Sequence, residues 1–248
     1  MVITSYIPAE KFSRAVEHPC QFWIGTIPFR LSIFGRRQQV GGLTRFIGPV
    51  VDYRGRTPTK VDAGIFLVTA RNIRDGRIDY DASEEYVDPD SAASLLARGK
   101  PEIDDLLFTM EAPLGQVALI DRTDIALAQR VVKFRGAPDL MRNSYLLYWL
   151  MSTGCQSRLE TLATGSTALG IKASKLGMIE CLAPPMDEQD SIVALIRREI
   201  AKLDTLTAEA RTAITLLQER RIALISAAVT GQIDVRSTFA AEAFLEVA

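Results

Sequence analysis

The sequence is poor in the residue types that most catalytic and metal sites require. His18 is the single histidine among 248 residues. One histidine cannot supply the usual zinc ligand sets, and a Ser–His–Asp triad would depend on this residue, which precedes Pro19 and is expected at the surface. The cysteines lie far apart and form no Cys-x-x-Cys pair: they are Cys20, Cys155 and Cys181. We predict buried thiols rather than metal ligands or disulfides.

Motifs of phosphate-binding and DNA-cleaving enzymes are also missing. The sequence contains neither Gly-x-x-x-x-Gly-Lys-Ser/Thr nor Gly-x-Gly-x-x-Gly, the loops that cradle phosphates. It has no Asp/Glu-x-Lys triplet of the metal-dependent nuclease kind, and the segment 183–186 lacks the groups with which an amino methyltransferase holds a flipped base. Adjacent acids such as Asp104–Asp105 and Glu84–Glu85 are expected to be solvated. The sequence therefore predicts a non-catalytic protein with no cofactor and no metal.

Long apolar runs are absent as well. No stretch approaches the ~20 apolar residues that span a bilayer. The N-terminus carries charge within its first dozen residues and lacks the apolar core of a signal peptide. We therefore expect no membrane association and a cytoplasmic location.

The formal net charge of −1 conceals a local asymmetry. Residues 1–60 contain nine Lys and Arg against three Asp and Glu, whereas residues 61–140 lean acidic. A near-neutral chain does not bind polyanions indiscriminately, but a local basic face remains compatible with this distribution.

Residues 1–183 predict an α+β domain of mostly antiparallel strands with short helices. The first forty residues are hard to assign, although Phe22–Ile24 and Phe29–Phe34 are candidate strands. Further strands are predicted at Leu43–Val51, Gly64–Thr69, Asp105–Met110, Gln116–Ile120, Ala128–Phe134 and Leu176–Leu182. Helices are predicted within Ser83–Gly99, starting at Asp88–Asp90, and at Asn143–Ser152, while Leu159–Leu169 contains a loop of small hydrogen-bond donors.

The segment 184–235 predicts one long helix, followed by a tail at 236–248. Pro184 and Pro185 stop the preceding strand, Asp187 can cap a first turn, and Gly231 ends the pattern. The 44 residues from Asp187 to Thr230 correspond to roughly 66 Å at 1.5 Å per residue. Apolar residues recur at helical spacing: Ile192, Ile196, Ile200, Leu203, Ala210, Ile214, Leu217, Leu224 and Ala228. Because a domain of this size needs no helix so long, we predict a coiled-coil-like element that pairs with a partner.

Several stretches resemble the specificity subunit of type I restriction–modification enzymes. The strongest are Pro184–Gln189 at the start of the long helix and Glu219–Asp234 at its end. Upstream, Gly55–Lys60, Thr69–Gly76, Asp105–Met110 and Gly165–Thr167 resemble turns and strands of that family's target-recognition domain. The resemblance covers about residues 43–235. It implies a non-catalytic protein whose globular domain reads half of a split DNA site and whose helix is a spacer that docks methyltransferase subunits.

The family's usual subunit carries two recognition domains and two spacer helices, whereas this chain has one of each. The resemblance therefore implies a half-subunit, and we predict an antiparallel homodimer through Ile192, Ile196, Ile200, Leu203, Ile214, Leu217 and Leu224. A helix that packs only on a methyltransferase subunit is the alternative, and the two are compatible. Candidate contacts to double-stranded DNA are the cations, amides and hydroxyls Arg54, Arg56, Thr57, Thr59, Lys60, Arg71, Asn72, Arg74, Gln129, Ser166, Thr167 and Lys172. A regulatory protein that binds methyltransferase subunits without reading DNA remains the alternative function.

Overall fold

The computed structural model describes residues 21–24, 27–30, 39–53, 58–165 and 169–233, the first two ranges as backbone only. Its strands are β1 Gln21–Ile24, β2 Ile27–Arg30, β3 Gln39–Gly42, β4 Val51–Asp52, β5 Lys60–Val61, β6 Ile65–Val68, β7 Ile73–Arg74, β8 Arg77–Ile78, β9 Tyr86–Val87, β10 Leu106–Thr109, β11 Val117–Leu119, β12 Ile125–Leu127, β13 Val131–Phe134 and β14 Glu180–Ala183. Its helices are α1 Pro89–Leu96, α2 Asn143–Met151, α3 Thr153–Leu162 and α4 Met186–Val229, with short 3-10 helices at Leu43–Arg45, Tyr80–Ala82 and Ala173–Met178.

The strands form two four-stranded sheets and three two-stranded pairs. One sheet has the order β11–β10–β13–β4, and the other has the order β12–β6–β9–β5. The smaller pairs are β1–β2, β14–β3 and β7–β8. Within the described ranges every strand pair is antiparallel except β12 with β6. The predicted fold class, a mostly antiparallel α+β domain followed by one long helix, is confirmed.

Strand β6 shows how the core is arranged around the second sheet. Its residues alternate between the two faces, as the two-residue period of a strand requires. Phe66 and Val68 pack in a cluster with Tyr53 and other buried side chains, whereas Leu67 packs on the opposite side against α1. Both faces of β6 are covered, which explains why its sequence is an unbroken apolar run.

Helix α1 begins where the sequence predicts. The Asp88 carboxylate is its N-cap and accepts hydrogen bonds from the backbone N–H groups of Asp90 (3.0 Å) and Ser91 (2.9 Å). Hydrogen bonding to Ser91 lowers the pKa of Asp88. Pro89 occupies the first helical position, where its missing N–H costs nothing.

Several predicted boundaries are wrong, each for a local reason. Leu43–Val51 is not a strand: Leu43, Phe46 and Ile47 are all buried, and this spacing does not fit the alternation of a strand. The strand predicted at Ala128–Phe134 begins only at Val131, and β12 precedes it. The strand predicted at Leu176–Leu182 is a 3-10 helix followed by β14, and the unpredicted helix α3 ends at Leu162, before the predicted loop of small hydrogen-bond donors.

Two of the three cysteines lie in the described residues, and both are buried free thiols as predicted. Burial raises the pKa of Cys155 to about 12 and also raises that of Cys181. Cys20 and His18 lie outside the described residues.

Helix α4 spans 44 residues, within one residue of the predicted bounds at each end. Asp187 and Glu188 place negative charge in its first turn, where the helix dipole favours it. At the other end Gly231 has a positive φ of 76°, the N–H of Gln232 donates to the carbonyl of Ala227 (2.8 Å), and that of Gly231 donates to Ala228 (3.3 Å). This is a Schellman cap, so the predicted glycine stop is confirmed.

The side chain of Gln189 fixes the first turns of α4 to the domain. It is fully buried, its Oε1 accepts from the N–H of Arg142 (2.8 Å), and its Nε2 donates to the carbonyls of Leu140 and Pro184 (both 2.8 Å). Arg142 also forms a two-pronged ion pair with Asp190 at 3.0 and 3.1 Å. The chain divides into two compact units, Met1–Val193 and Ala194–Ala248, so these first turns belong to the first unit.

The middle of α4 is rich in threonine. Four hydroxyls donate to the carbonyl four residues earlier, at 2.7–3.1 Å: those of Thr205, Thr207, Thr212 and Thr215. Each hydroxyl is therefore satisfied within its own helix. Among the described residues, no helix is both long enough and apolar enough to cross a membrane.

Candidate nucleic-acid interface

Four loops meet where strands β6, β10 and β12 end, and we call their described residues 69–79, 110–116, 129–130, 164–165 and 169–172 the rim. Strands β6 and β12 are parallel, with Val68 opposite Leu127, so the segments that follow them emerge side by side. The N–H of Met110 donates to the carbonyl of Arg130 (2.8 Å), and the N–H of Ile171 donates to that of Met110 (3.0 Å). Backbone hydrogen bonds thus hold three of these loops together.

The β7–β8 hairpin is the most regular part of the rim. Ile73 pairs with Ile78 and Arg74 with Arg77. The two turn residues, Asp75 and Gly76, have φ values of 52° and 80°, as a two-residue type I′ turn requires. Ile73 and Ile78 are buried, so the paired arginines face solvent on the opposite side of the ribbon.

Arg71 and Arg74 are exposed as a DNA contact would require, but Asn72 is not. Asn72 is fully buried. Its Oδ1 accepts from the N–H and hydroxyl of Thr69 (3.0 and 2.9 Å), and its Nδ2 donates to the carbonyls of Asp79 and Ser83 (both 2.9 Å). These bonds use both donors and both acceptor positions of the amide. The prediction that Asn72 reads base edges is therefore corrected: Asn72 holds the base of the hairpin.

Gln129 and Lys172 join the arginines of residues 71–77 in the rim. Gln129 follows β12 and is half-buried, and Lys172 is exposed two residues after Gly170. Gly170 pairs with both Glu111 and Thr164, and Glu111 forms a 2.9 Å ion pair with Arg130. The structure therefore brings together predicted residues that lie about a hundred positions apart in the sequence.

Thr59 and Lys60 lie at the other end of the second sheet. Lys60 pairs with Val87 in β9, and Val87 pairs with Ile65 at the start of β6, whereas the rim follows the end of β6. Lys60 also forms a 2.8 Å ion pair with Glu85. Both residues are exposed, but they are not part of the rim. The other predicted contacts, Arg54, Arg56, Thr57, Ser166 and Thr167, lie outside the described residues.

Arg77 belongs to the rim as well, as one of the cations of residues 71–77. The signal that identifies it is the Asp-Gly dipeptide, which favours a two-residue hairpin and therefore places Arg74 beside Arg77. In the part of the chain that the structure describes, neither Arg71 nor Arg77 has an ion-pair partner, and Arg74 has only Asp79 at 4.0 Å. Four other arginines among the described residues of the domain are paired with carboxylates, for example Arg122 with Asp124 and Arg130 with Glu111.

Asp105 is buried, contrary to the expectation that it is solvated. Its carboxylate has no exposed surface and accepts hydrogen bonds from Lys133 Nζ (2.6 Å), from Arg135 Nε and from the N–H of Glu102 (3.0 Å). The Tyr53 hydroxyl donates to the carbonyl of Gly99 (2.6 Å), and burial, followed by the nearby Asp105 charge, raises the pKa of Tyr53. The cluster ties β10 to β13 below the surface of the domain.

The residues predicted to pair α4 with a partner divide into two groups. Ile192 and Ile196 are only 6% and 7% exposed in the single chain, so they offer little surface to a partner and are withdrawn from the predicted interface. The remaining five are 39–63% exposed: Ile200, Leu203, Ile214, Leu217 and Leu224. They form an apolar stripe that the described residues do not cover.

A family model for the type I restriction modification DNA specificity domain matches residues 99–216. Residues 99–216 are thus similar to a type I specificity domain. The match begins just after α1, runs through β10–β14 and enters α4, and it confirms the resemblance to a specificity subunit with one recognition domain. The β7–β8 hairpin lies before the matched part of the chain.

Solved structures share the fold of this chain. One, from a study of complex assembly and conformational transition in the type I restriction–modification system, aligns with a TM-score of 0.53 and 16% identity over 77% of this chain. The type I S subunit from M. genitalium aligns with a TM-score of 0.51 and 15% identity over 72% of this chain. This chain covers 46% and 43% of those chains, less than half of each. No curated protein matches the sequence.

Proposed function

We propose that this chain is a non-catalytic, DNA-binding specificity subunit of a type I restriction–modification system that reads one half of a two-part DNA site. The observation that carries the proposal is the specificity-domain match together with a single long helix that has an uncovered apolar stripe. One domain and one stripe make half of a two-domain arrangement. The second half is a second copy of the same chain.

The rim is the surface that the proposal assigns to DNA. It carries Arg71, Arg74 and Arg77 without close carboxylate partners among the described residues, and Lys172 lies in the same rim. Cations that are not neutralised within the protein can displace the counterions of the DNA backbone, which supplies most of the non-specific binding free energy. Thr59 and Lys60, at the other end of the second sheet, stay candidate DNA contacts outside the rim, and Arg54 and Arg56 stay candidates from the sequence alone.

The exposed stripe of α4 supports an antiparallel homodimer. At 3.6 residues per turn, Leu203, Ile214, Leu217 and Leu224 fall within about 80° of one another around the helix axis. Each is 49–63% exposed, and burying such side chains against a second copy contributes about 1.5–3 kcal/mol per fully covered residue. A two-fold dimer would present two domains to a palindromic two-part site with a fixed gap.

A second apolar strip near the end of α4 supports docking of a methyltransferase subunit. Ile222, Ile225 and Val229 are 68%, 54% and 81% exposed. Their mean direction differs from that of the first stripe by about 90° at 3.6 residues per turn. The two sets adjoin around the helix axis, so a methyltransferase subunit can contact the part of this wider apolar face that a second copy leaves exposed.

Co-expression with a methyltransferase subunit, followed by mapping of methylated adenines, tests the function. We expect the two proteins to co-purify and methylation to occur in one two-part palindromic sequence. Stable association without any sequence preference would favour the regulatory alternative instead. Metal-dependent cleavage of bare DNA by the purified chain would contradict a non-catalytic role.

Sedimentation of the full chain at 1–50 micromolar tests the dimer, with a matched pair of leucine variants. Leu217→Ser removes a stripe residue, whereas Leu216→Ser removes a neighbour that is 59% exposed and points about 120° away from the stripe. We expect Leu217→Ser, alone or with Leu203→Ser, to raise the dimer dissociation constant at least about 10-fold and Leu216→Ser to leave it unchanged. A wild-type chain that remains monomeric throughout this range would refute the homodimer.

A further inference from the structure

The β7–β8 hairpin has the shape and the charge order of a base-reading ribbon. A two-stranded ribbon fits the major groove of B-DNA, which is about 12 Å wide. The exposed face of this ribbon presents Arg74 and Arg77 directly opposite each other, with Cα atoms about 5 Å apart as in any antiparallel pair. Successive bases along one strand are about 3.4 Å apart, so two long arginine side chains at this spacing can reach neighbouring base pairs.

The order of charges in the hairpin favours base edges over phosphates. Asp75 occupies the turn between the two arginines and is exposed. A ribbon that only gripped phosphates would place this carboxylate against a like charge, which weakens binding. In the major groove, by contrast, guanine offers two acceptors to an arginine, while cytosine offers an amino donor to a carboxylate. An arginine–aspartate–arginine surface therefore complements G·C base pairs.

The hairpin is held rigidly enough to position these groups. Asn72 fixes its base through four side-chain hydrogen bonds, and Ile73 and Ile78 anchor its inner face in the core. At the tip, a Cβ on Gly76 would lie 3.1 Å from Met151 Sδ, so the turn packs closely on α2. Recognition groups on a fixed scaffold lose little conformational entropy on binding.

From this arrangement we infer that the β7–β8 hairpin reads G·C base pairs in the major groove of the half-site, with Arg74 and Arg77 donating to guanine. The inference rests on the proposed DNA-reading function and assigns the bases that one element of it recognises. The hairpin lies outside residues 99–216, the part of the chain that the specificity-domain family model matches.

Selection from a randomised DNA duplex library tests the inference with the full-length chain. The variants are Arg74→Lys and Arg77→Lys, which keep the charge but lose the two-pronged geometry that guanine requires. Arg211→Lys, an exposed residue of α4, is the matched control. We expect wild type and the control to select the same site, with guanine at defined positions. In each hairpin variant, the preference for guanine over the other bases should fall about 10- to 100-fold at one position of the site. The base preferences at the remaining positions should be unchanged.

Two other outcomes would overturn the inference in distinguishable ways. If the hairpin variants select the wild-type consensus unchanged, the arginines do not read bases: they contact phosphates, where lysine can replace them, or they do not contact DNA. The proposed function then survives. If wild type selects no consensus at all, the proposed DNA-reading function fails as well. Urea unfolding of each variant verifies that the change in selection occurs in a folded protein.

Discussion

Two parts of α4 carry the same apolar repeat in different surroundings. In the first compact unit, Ile192 and Val193 are 6% and 5% exposed, whereas Leu203 and Leu217 in the second unit are 53% and 63% exposed. The first pair completes a core, while the second pair has no cover among the described residues. Periodicity alone cannot distinguish these uses, because a core face and an interface face need the same spacing.

Polar side chains show the same division between the domain and the exposed helix. Asp105 and Glu199 each bind two cations, but the Asp105 side chain has no exposed surface and that of Glu199 is 30% exposed. Gln189 is buried with three hydrogen bonds, whereas Gln218 is exposed. Substitutions at such matched residues compare the loss of unfolding free energy in the domain with the loss on the exposed helix. Unfolding is followed at low micromolar protein concentration to limit association.

The largest effect is expected at Asp105. Asp105→Ala leaves Lys133, which is 11% exposed, without its carboxylate partner in the domain interior. Removing one member of a buried ion pair typically costs about 3–5 kcal/mol. Urea unfolding should show this loss as a lower midpoint with an unchanged slope. A loss comparable to that of a surface ion pair would contradict the structural role given to this cluster.

Ile192→Ala should destabilise the chain by about 2–4 kcal/mol because it empties part of a packed core. Leu217→Ala is the matched substitution on the uncovered face. It should change the unfolding free energy of the monomer by less than about 0.5 kcal/mol and act instead on self-association. Equal losses of monomer stability from the two substitutions would remove the distinction between core and interface residues on α4.

Gln189→Ala should cost about 2–3 kcal/mol, since it leaves one buried N–H and two buried carbonyls without their partner. Gln218→Ala, in the same helix, is the control and should be nearly neutral. Thermal unfolding of both variants measures the difference. Hydrogen exchange of the Arg142 amide, which donates to Gln189, should rise in the first variant and not in the second.

The smallest effect is expected at Glu199. Its hydrogen bonds, first with Lys202 and then with Arg198, lower its pKa. A lowered folded-state pKa gives a contribution that is present at neutral pH and is lost as the pH falls through the acid range. Because the pair is solvated and screened by salt, Glu199→Gln should leave the unfolding midpoint within experimental error. If Glu199→Gln clearly lowers the unfolding midpoint at low salt but not at high salt, the ion pairs of Glu199 with Arg198 and Lys202 stabilise the helix more than is typical of exposed pairs.

The sequence predicts those features of this fold that depend on neighbours within one or two turns. Asp88 and Gly231 mark helix ends through local hydrogen bonds, and α4 and α2 end within one residue of their predicted bounds. Helix α3 is missed because Thr153 and Gly154 at its start are typical of a turn. Its signal lies in the spacing of Cys155, Leu159 and Leu162, which are all buried.

The candidate site depends more on long-range contacts, and its prediction is correspondingly incomplete. Arg71, Arg74, Gln129 and Lys172 meet only because β6 and β12 are parallel neighbours and Met110 links two further loops. Asn72 carries an amide side chain of the kind that can read a base edge. Its actual role as a buried hydrogen-bonding residue depends on Asp79 and Ser83, whose carbonyls accept from its Nδ2. Composition alone does not separate a reading amide from a structural one.

The threonines in the middle of α4 have a consequence for the lifetime of an unassembled chain. β-Branched residues are weak helix formers, and Thr205, Thr207, Thr212 and Thr215 lie where the helix is exposed on all sides in the single chain. Without a partner this segment should open first, and trypsin should cut after Arg211 within it. Partners that cover the helix should suppress both the opening and the cut. Resistance to limited trypsin digestion would then report whether a given copy has been assembled.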